Sequence, residues 1–467
     1  MIKKRFSGKE DSMHFDIDKR DGKLILENLR CDCAYNHNIP EMNIYIKSGL
    51  IETCADCIKE SALGSNVLLI ADKTTYAVAG EKVKQNLTKA GLDCRVCILP
   101  GEHVEPTPEM ADLIVAQVDN NTDFMLAVGS GVVTDLTRRS AFLAGKPFAA
   151  FGTAASMDGY TSITSSMMIN KMKISMYGNA ARLLMFDPEI LATAPLLMQA
   201  SGVGDMLAKY GVLVDWKLGS VVTGEPFCPL CEELLLMGLN TCSSHIEDII
   251  ARTETGMEAL IEALVYAGLT VLIVKNTRPV ASVEHNMAHY WDMMHVAYGG
   301  EPVPSHGICV GIGFIYCLLF HDMLKNADLS LIDKEKIKAK RMTKQQKKEY
   351  IFDCYPPGGG QEIIQDNVDW YIDWPENEKR IDSLTAYHTQ YVKDSEILPD
   401  YRKMITSFKR FGAPTSATKA GISKDRLKNA LLCTKDFRKR YSIAQALSEL
   451  GMLEECTQRV LEIESSL

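Results

Sequence analysis

The sequence predicts an α/β domain built on a parallel sheet over residues 1–195, followed by an all-α domain over residues 196–467. Three observations predict it. From about residue 60 to residue 151, short apolar runs suited to buried strands alternate with stretches of helical periodicity, the rhythm of βαβ units. After about Pro195 the helical periodicity continues with few strand signals. A chain of 467 residues can enclose two cores, and 46% hydrophobic with 24% charged residues is ordinary globular composition.

Taken in order, the first 60 residues contain an extended start, in which Met42 to Ile46 alternates as a strand. Val67 to Ala71 is a buried strand, Ala77 to Ala90 an amphipathic helix, Cys94 to Leu99 a strand and Pro108 to Val118 a helix. Phe124 to Val128 is the third strand of this rhythm, Val133 to Ala144 its helix and Phe148 to Phe151 the fourth strand. Helices on both faces of the sheet are expected. The Met-rich stretch from Met167 and Met168 through Met176 reads as core packing. Helical periodicity then covers Met198 to Leu218, Cys231 to Arg252, Thr255 to Val274, Val283 to Ala297 and Ile308 to Met323. Lys and Arg accumulate between Lys334 and Lys348, a solvated stretch, before Tyr355 to Gly360 breaks the pattern.

A net charge of −9 argues against a nucleic-acid footprint and leaves small molecules as the expected partners. The basic start at Met1 has no apolar stretch behind it, so no secretory signal is read, and apolar runs fall short of the roughly 18 residues of a membrane span. A cytoplasmic protein without membrane insertion is expected. Of the fourteen cysteines, the close pairs Cys31/Cys33, Cys54/Cys57, Cys94/Cys97 and Cys228/Cys231 are assigned as structural thiols rather than disulfides or zinc knuckles.

Leu126 to Asp135 reads as a strand, a glycine turn and a helix start. Such a turn aims backbone N–H groups at a pyrophosphate, so Gly129, Ser130, Gly131, Val132, Val133, Thr134 and Asp135 are candidate dinucleotide contacts. Thr134 stands where the full fingerprint has a third glycine, and a plain tight βα turn fits the segment as well. A second small-residue segment, Gly152 to Ser162, follows the next strand, and two such loops would flank one crevice at the carboxyl edge of the sheet. Asp72, ending the strand Val67 to Ala71, is placed to bind a ribose hydroxyl and repel a 2′-phosphate, favouring NAD over NADP; a helix N-cap is the alternative role.

Four of the ten histidines, His285, His289, His295 and His306, cluster in the window 285–306. His285 and His289, four apart, share a helix face. Asp205, with glycines nearby and a helix start expected around it, is the best further ligand. One Asp and two His would leave open positions on a divalent ion, as a catalytic site requires. His295 and Asp292 are read as structural.

Thr153 to Ser162 (Thr-Ala-Ala-Ser-Met-Asp-Gly-Tyr-Thr-Ser), Gly-Val-Gly-Asp-Met-Leu-Ala-Lys-Tyr at 202–210, Val214-Asp-Trp-Lys-Leu218 and Thr-Gly-Glu-Pro-Phe-Cys-Pro at 223–229 together resemble the sn-glycerol-1-phosphate dehydrogenases. So do Gly-Ala-Pro-Thr at Gly412 and Arg438-Lys-Arg-Tyr-Ser-Ile443. That family lies within the superfamily of dehydroquinate synthase, glycerol dehydrogenase and iron-containing alcohol dehydrogenases. The resemblance implies a dehydroquinate synthase-like fold with an N-terminal NAD(P)-binding domain. It implies dinucleotide contacts at Gly129 to Asp135 and Thr153 to Ser156, with Ser162 close by. It implies one divalent metal, zinc first with nickel or iron as alternatives, on Asp205, His285 and His306. It sets the substrate against Asp158, Asp205 and His289, with His289 and Asp205 in catalytic roles, and suggests a homo-oligomer, a dimer or larger. Arg138 and Arg139 depart from the Lys and aromatic found in many relatives. His289 also suits the role of a group that orients a ligand, and Asp158 that of a helix cap.

The expected reaction interconverts dihydroxyacetone phosphate and sn-glycerol-1-phosphate by hydride transfer. The rivals are a dehydrogenase of an unphosphorylated polyol, a lyase of the dehydroquinate synthase type, for which the basic residues near the metal motifs, Lys209 and Arg278, are few, and an inactive paralogue.

Overall fold

The computed structural model describes residues 4–7, 13–170, 172–300 and 302–465. Most of the stretch from Met1 to Asp11, where no secretory signal was read, lies outside the described residues.

The chain forms two compact units. The first comprises Met1–Ile169, Lys173–Met206 and Cys228–Thr277; the second comprises Asn170–Met172, Leu207–Phe227 and Arg278–Leu467. The helices Pro229–Ser244 and Glu254–Val274 therefore group with the sheet, although they follow position 195 in sequence.

In the first unit the strands are β1 (Lys4–Ser7), β2 (Met13–Arg20), β3 (Lys23–Cys31), β4 (Asn43–Ile46), β5 (Asn66–Ala71), β6 (Asp93–Ile98), β7 (Phe124–Gly129), β8 (Phe148–Gly152), β9 (Thr164–Ile169), β10 (Met172–Tyr177) and β11 (Leu183–Phe186). Nine of them make one sheet in the order β1-β2-β3-β4-β11-β8-β7-β5-β6, and β9 and β10 form a separate ribbon. From β4 to β6 the neighbours run parallel, while β1 to β4 pair antiparallel. The parallel strands are apolar on both faces because both are covered. Val67, Leu69, Phe124, Leu126, Ala149 and Phe151 pack toward the helices Leu50–Glu60 and Glu81–Lys89, and the intervening Leu68, Ile70, Met125 and Ala127 are equally buried.

The β2–β3 hairpin was not expected from the sequence beyond an extended start. It turns through Asp21 and Gly22, whose φ values of 48° and 81° are those of a two-residue hairpin turn of the primed kind. The helix expected over Ala77 to Ala90 carries a π-type turn at Tyr76–Gly80 before its regular part. The Met-rich stretch forms the β9–β10 ribbon, with Met167 and Met172 buried.

Strand order reverses between β5 and β7: the chain leaves β5 outward to β6, then returns to the other side of β5 as β7. Outside the carboxyl ends of such a pair lies the crevice in which open α/β sheets bind ligands. Asp72 follows β5 and Gly129 ends β7, so both stand at that point.

The second unit is helical among its described residues and includes the helices Lys209–Thr223, Val283–Tyr298, His306–Lys325 and Trp374–Asp394. Two helices, Glu254–Val274 in the first unit and His306–Lys325 in the second, are long and apolar enough to cross a membrane, which corrects the expectation drawn from run length. In each, 89% of the most apolar window is buried, so the composition is that of a helix surrounded by protein.

Candidate active site

The first unit presents the two small-residue loops side by side. Gly129 and Gly152 are register partners at the ends of β7 and β8, and Thr153 N donates to Gly129 O at 3.1 Å. A Cβ on Gly129 would sit 2.6 Å from Val133 Cβ, so only glycine lets the Gly131–Ala144 helix start this close to the strand. Ser130 provides no side-chain cap to that helix, which leaves its first-turn N–H groups available to an anion. Ser130, Gly131 and Val132 are half-buried, with Val133 and Thr134 buried beneath them. The Tyr160 hydroxyl donates to Ala154 O at 2.9 Å and lies 3.3 Å from Gly129 O, bracing the two loops against each other.

Two of the expected cofactor residues have protein partners for their carboxylates. Asp72 caps the Lys73–Thr75 turn, accepting from Thr75 N at 2.7 Å in a capping box. Asp135 accepts from Arg138 Nη1 at 2.6 Å and from Ser166 N at 3.1 Å. Arg138 is fully buried and also donates to Thr164 O, Gly159 O and Tyr160 O at 3.0, 2.6 and 3.1 Å. Burial pushes the Asp135 carboxyl up against the pull of Arg138, and pushes the Arg138 guanidinium down. Arg138 thus ties the helix after the glycine turn to the loop that carries Asp158. Its only signal in the sequence was a departure from the family pattern.

Ser156 is half-exposed, and its carbonyl accepts from Ser201 Oγ at 3.1 Å; Ser162 is buried, with its Oγ 3.0 Å from Thr164 Oγ1. Asp205 is buried and accepts from Asp158 N at 3.1 Å through Oδ2, so these two carboxylate-bearing residues meet in one corner of the first unit. Asp205 lies in the last turn of the Leu196–Leu207 helix, not at a helix start. Gly202, three residues before it, serves packing: a Cβ there would fall 2.1 Å from Ala155 O.

The second unit gathers the histidines. His285 and His289 lie on the Val283–Tyr298 helix and His306 opens the next, His306–Lys325. The His306 ring lies 5.4 Å from that of His285 and stacks on that of His289 at 5.1 Å, 22° from parallel. Ligand atoms of His289, Asp292 and His306 lie within 4.8 Å of one another, so Asp292, read from the sequence as structural, joins the cluster. His285 Nδ1 is 2.8 Å from Glu284 Oε1. A carboxylate only accepts, so Nδ1 carries the proton and Nε2 keeps its lone pair for a cation. Burial alone would raise the Glu284 carboxyl, but His285 and the Ser282 N–H outweigh it and hold it below the usual range. Glu284 went unnoticed in the sequence, although its place beside His285 was a usable signal.

Beneath this helix start, Asp215 accepts from Ser282 Oγ at 2.5 Å and from Ile443 N at 2.7 Å, and His321 Nε2 lies 3.6 Å from its Oδ1. Burial raises the Asp215 carboxyl to about 7 and lowers His321 to about 3, so a neutral imidazole sits against this carboxyl. Arg278 is bound to Glu225 at 2.6 Å.

The imidazole cluster with an oriented Nε2 fits a divalent cation, and the glycine loops after β7 and β8, beside the strand-order reversal, fit a dinucleotide. Comparison with known proteins accords with both. The family model for iron-containing alcohol dehydrogenase matches residues 45–195. Over 286 residues the chain is 36% identical to glycerol-1-phosphate dehydrogenase [NAD(P)+] of Halalkalibacterium halodurans, covering 60% of this chain and 71% of that one. The chain belongs to the glycerol-1-phosphate dehydrogenase family. A second member, from Bacillus licheniformis, is 27% identical over 426 residues, 91% of this chain and 93% of its own. In fold the chain is similar to the crystal structure of glycerol dehydrogenase from Schizosaccharomyces pombe, with a TM-score of 0.60 at 14% identity, covering 93% of this chain and 94% of that one. The protein is an NAD(P)- and metal-dependent oxidoreductase of this family.

Proposed function

We propose that the protein reduces dihydroxyacetone phosphate to sn-glycerol-1-phosphate with NAD(P)H and a divalent metal, NADH and zinc being the preferred partners. The observation that carries this reading is the convergence of His285, His289 and His306, with His285 oriented by Glu284, in a chain of this family. In this reading Asp205, His285 and His306 hold the metal. The loops Gly129 to Asp135 and Thr153 to Ser156, with Ser162, hold the dinucleotide. When bound, the metal supplies Lewis acidity at the carbonyl oxygen and the nicotinamide supplies the hydride. His289 delivers the proton that the new hydroxyl needs, so that one hydride and one proton together reduce the ketone. Asp158 accepts hydrogen bonds from substrate hydroxyls and fixes the ketone's orientation. Asp72 disfavours a 2′-phosphate through its charge while capping its own helix turn.

The kinetic test compares dihydroxyacetone phosphate with dihydroxyacetone, each with NADH and NADPH. The phosphorylated ketone should have the higher kcat/KM and NADH the lower KM. A preference for dihydroxyacetone would make the protein a polyol dehydrogenase.

A second reading of the metal site draws on Asp292, whose carboxylate belongs to the same cluster as His289 and His306. Metal titration of variants separates the two. Asp205→Asn should weaken binding strongly and Asp292→Asn little, with Glu284→Ala losing about 10- to 100-fold through the freed His285 ring. The reverse ranking of the two Asp variants would transfer the site to Asp292.

A further inference from the structure

The second feature of the molecule that resembles a metal site lies far along the sequence from the histidine cluster, within the first unit. Cys31 is the last residue of β3, and Cys33 and His37 follow in the stretch 32–42, which has no regular secondary structure before β4. Cys228 directly precedes the Pro229–Ser244 helix as its N-cap residue and is fully buried. One ligand atom from each of these four residues lies within 4.8 Å of every other. His37 Nε2 sits between two sulfurs, 3.3 Å from Cys33 Sγ and 3.3 Å from Cys228 Sγ. None of the cysteines is in a disulfide.

We propose that Cys31, Cys33, His37 and Cys228 bind a structural zinc ion that fastens the irregular stretch after β3 to the start of the Pro229–Ser244 helix.

Zinc bonds of about 2.3 Å to sulfur and about 2.0 Å to nitrogen, at tetrahedral angles, put S and N about 3.6 Å apart, close to the spacing seen here. Three thiolates and one imidazole complete four-coordination with no open position, which marks a structural rather than a catalytic ion. The helix N-terminus at Cys228 favours a thiolate there. Cys231, one turn on, has its sulfur 4.0 Å from Thr270 O and is not part of the set. Taken pair by pair, Cys31/Cys33 and Cys228/Cys231 look like plain structural thiols. The spacing of Cys-x-Cys-x3-His is compact, but its completing ligand lies almost two hundred residues away, and only the fold supplies it. An ion here also explains why a stretch without ladder hydrogen bonds holds a defined course: binding displaces three thiol protons and replaces the missing secondary structure as the source of order.

Cobalt substitution tests the site on the full-length protein. The histidine cluster offers only nitrogen and oxygen ligands, so thiolate-to-cobalt charge-transfer absorption reports the cysteine site alone, whatever the fate of the proposed active site. Reduced protein loaded with Co(II) should show this absorption together with the intense ligand-field bands of a tetrahedral ion. Cys228→Ser should lose most of the charge-transfer intensity. His37→Ala should change the ligand-field bands while keeping thiolate absorption. Elemental analysis of His306→Ala purified with zinc should still show one equivalent per chain. Circular dichroism of each variant checks folding. If Cys228→Ser fails to fold, His37→Ala and the parent spectrum still decide the matter. Absence of thiolate charge transfer in the reduced parent, undiminished absorption in folded Cys228→Ser, or a Cys33–Cys228 disulfide in protein purified under reducing conditions would overturn the proposal.

Discussion

Glu284 and Asp215 do different work at the base of the histidine cluster. Glu284 stays ionised because it accepts from His285 and from the Ser282 N–H, and so fixes which imidazole nitrogen of His285 carries the proton and which keeps its lone pair. Asp215 is raised to about 7 by burial and by the nearby Glu284 charge, against the pull of its hydrogen bonds from Ser282 Oγ and Ile443 N. Its folded value lies above that of an unfolded carboxylate, about 3.9. The stability it contributes is therefore complete below the unfolded value and is lost as pH rises through about 7. Asp215→Asn removes the ionisation while keeping an acceptor. The stability of this variant relative to the parent should rise as pH goes from about 4 to about 7, as urea unfolding at several pH values would measure. A difference that stays flat across that window would mean Asp215 is not held protonated by burial. The burial of Asp215 was not legible in the sequence, since a buried carboxyl and an exposed one are the same letter; the histidine spacing was legible because a shared helix face follows from period alone.

At the scale of elements, the strands β5 to β8 and the long helices were legible because their apolar runs are continuous and bounded by turn residues. The β2–β3 hairpin is just as strongly encoded, with alternation at Met13, Phe15 and Ile17 and an Asp-Gly turn. The β9–β10 ribbon was hidden because its methionines carry no strand preference. Helix glycines had a different meaning from the one the sequence suggested. A Cβ on Gly268, in the Glu254–Val274 helix, would lie 2.0 Å from Thr161 Oγ1 and 2.3 Å from Asp158 O. That helix is pressed against the backbone of the loop that carries Asp158. Gly268→Ala must push the loop away, and a displacement of about 1 Å at a reacting centre costs on the order of a hundredfold in rate. Steady-state kinetics should show kcat/KM for the ketone falling on that scale with NADH binding nearly unchanged. Parent-like kcat/KM in a folded Gly268→Ala protein would mean that the loop does not position substrate.

For the whole molecule, composition and periodicity conveyed the two-part architecture, and motif order conveyed the family. They could not convey that two helices beyond residue 195 group with the sheet, because grouping depends on which apolar faces meet in space. They also could not convey a cluster assembled from distant segments without a shared motif, such as the sulfurs of Cys33 and Cys228. The central claim is a stereospecific reduction, and the configuration of its product tests it most directly. Dihydroxyacetone phosphate and NADH are incubated with the metal-loaded protein, and the glycerol phosphate formed is offered to an enzyme that oxidises only sn-glycerol-3-phosphate. The expected result is stoichiometric NADH consumption and a product inert to that enzyme, hence sn-glycerol-1-phosphate. A product that is fully oxidised, or no glycerol phosphate at all from a metal-replete protein, would contradict it.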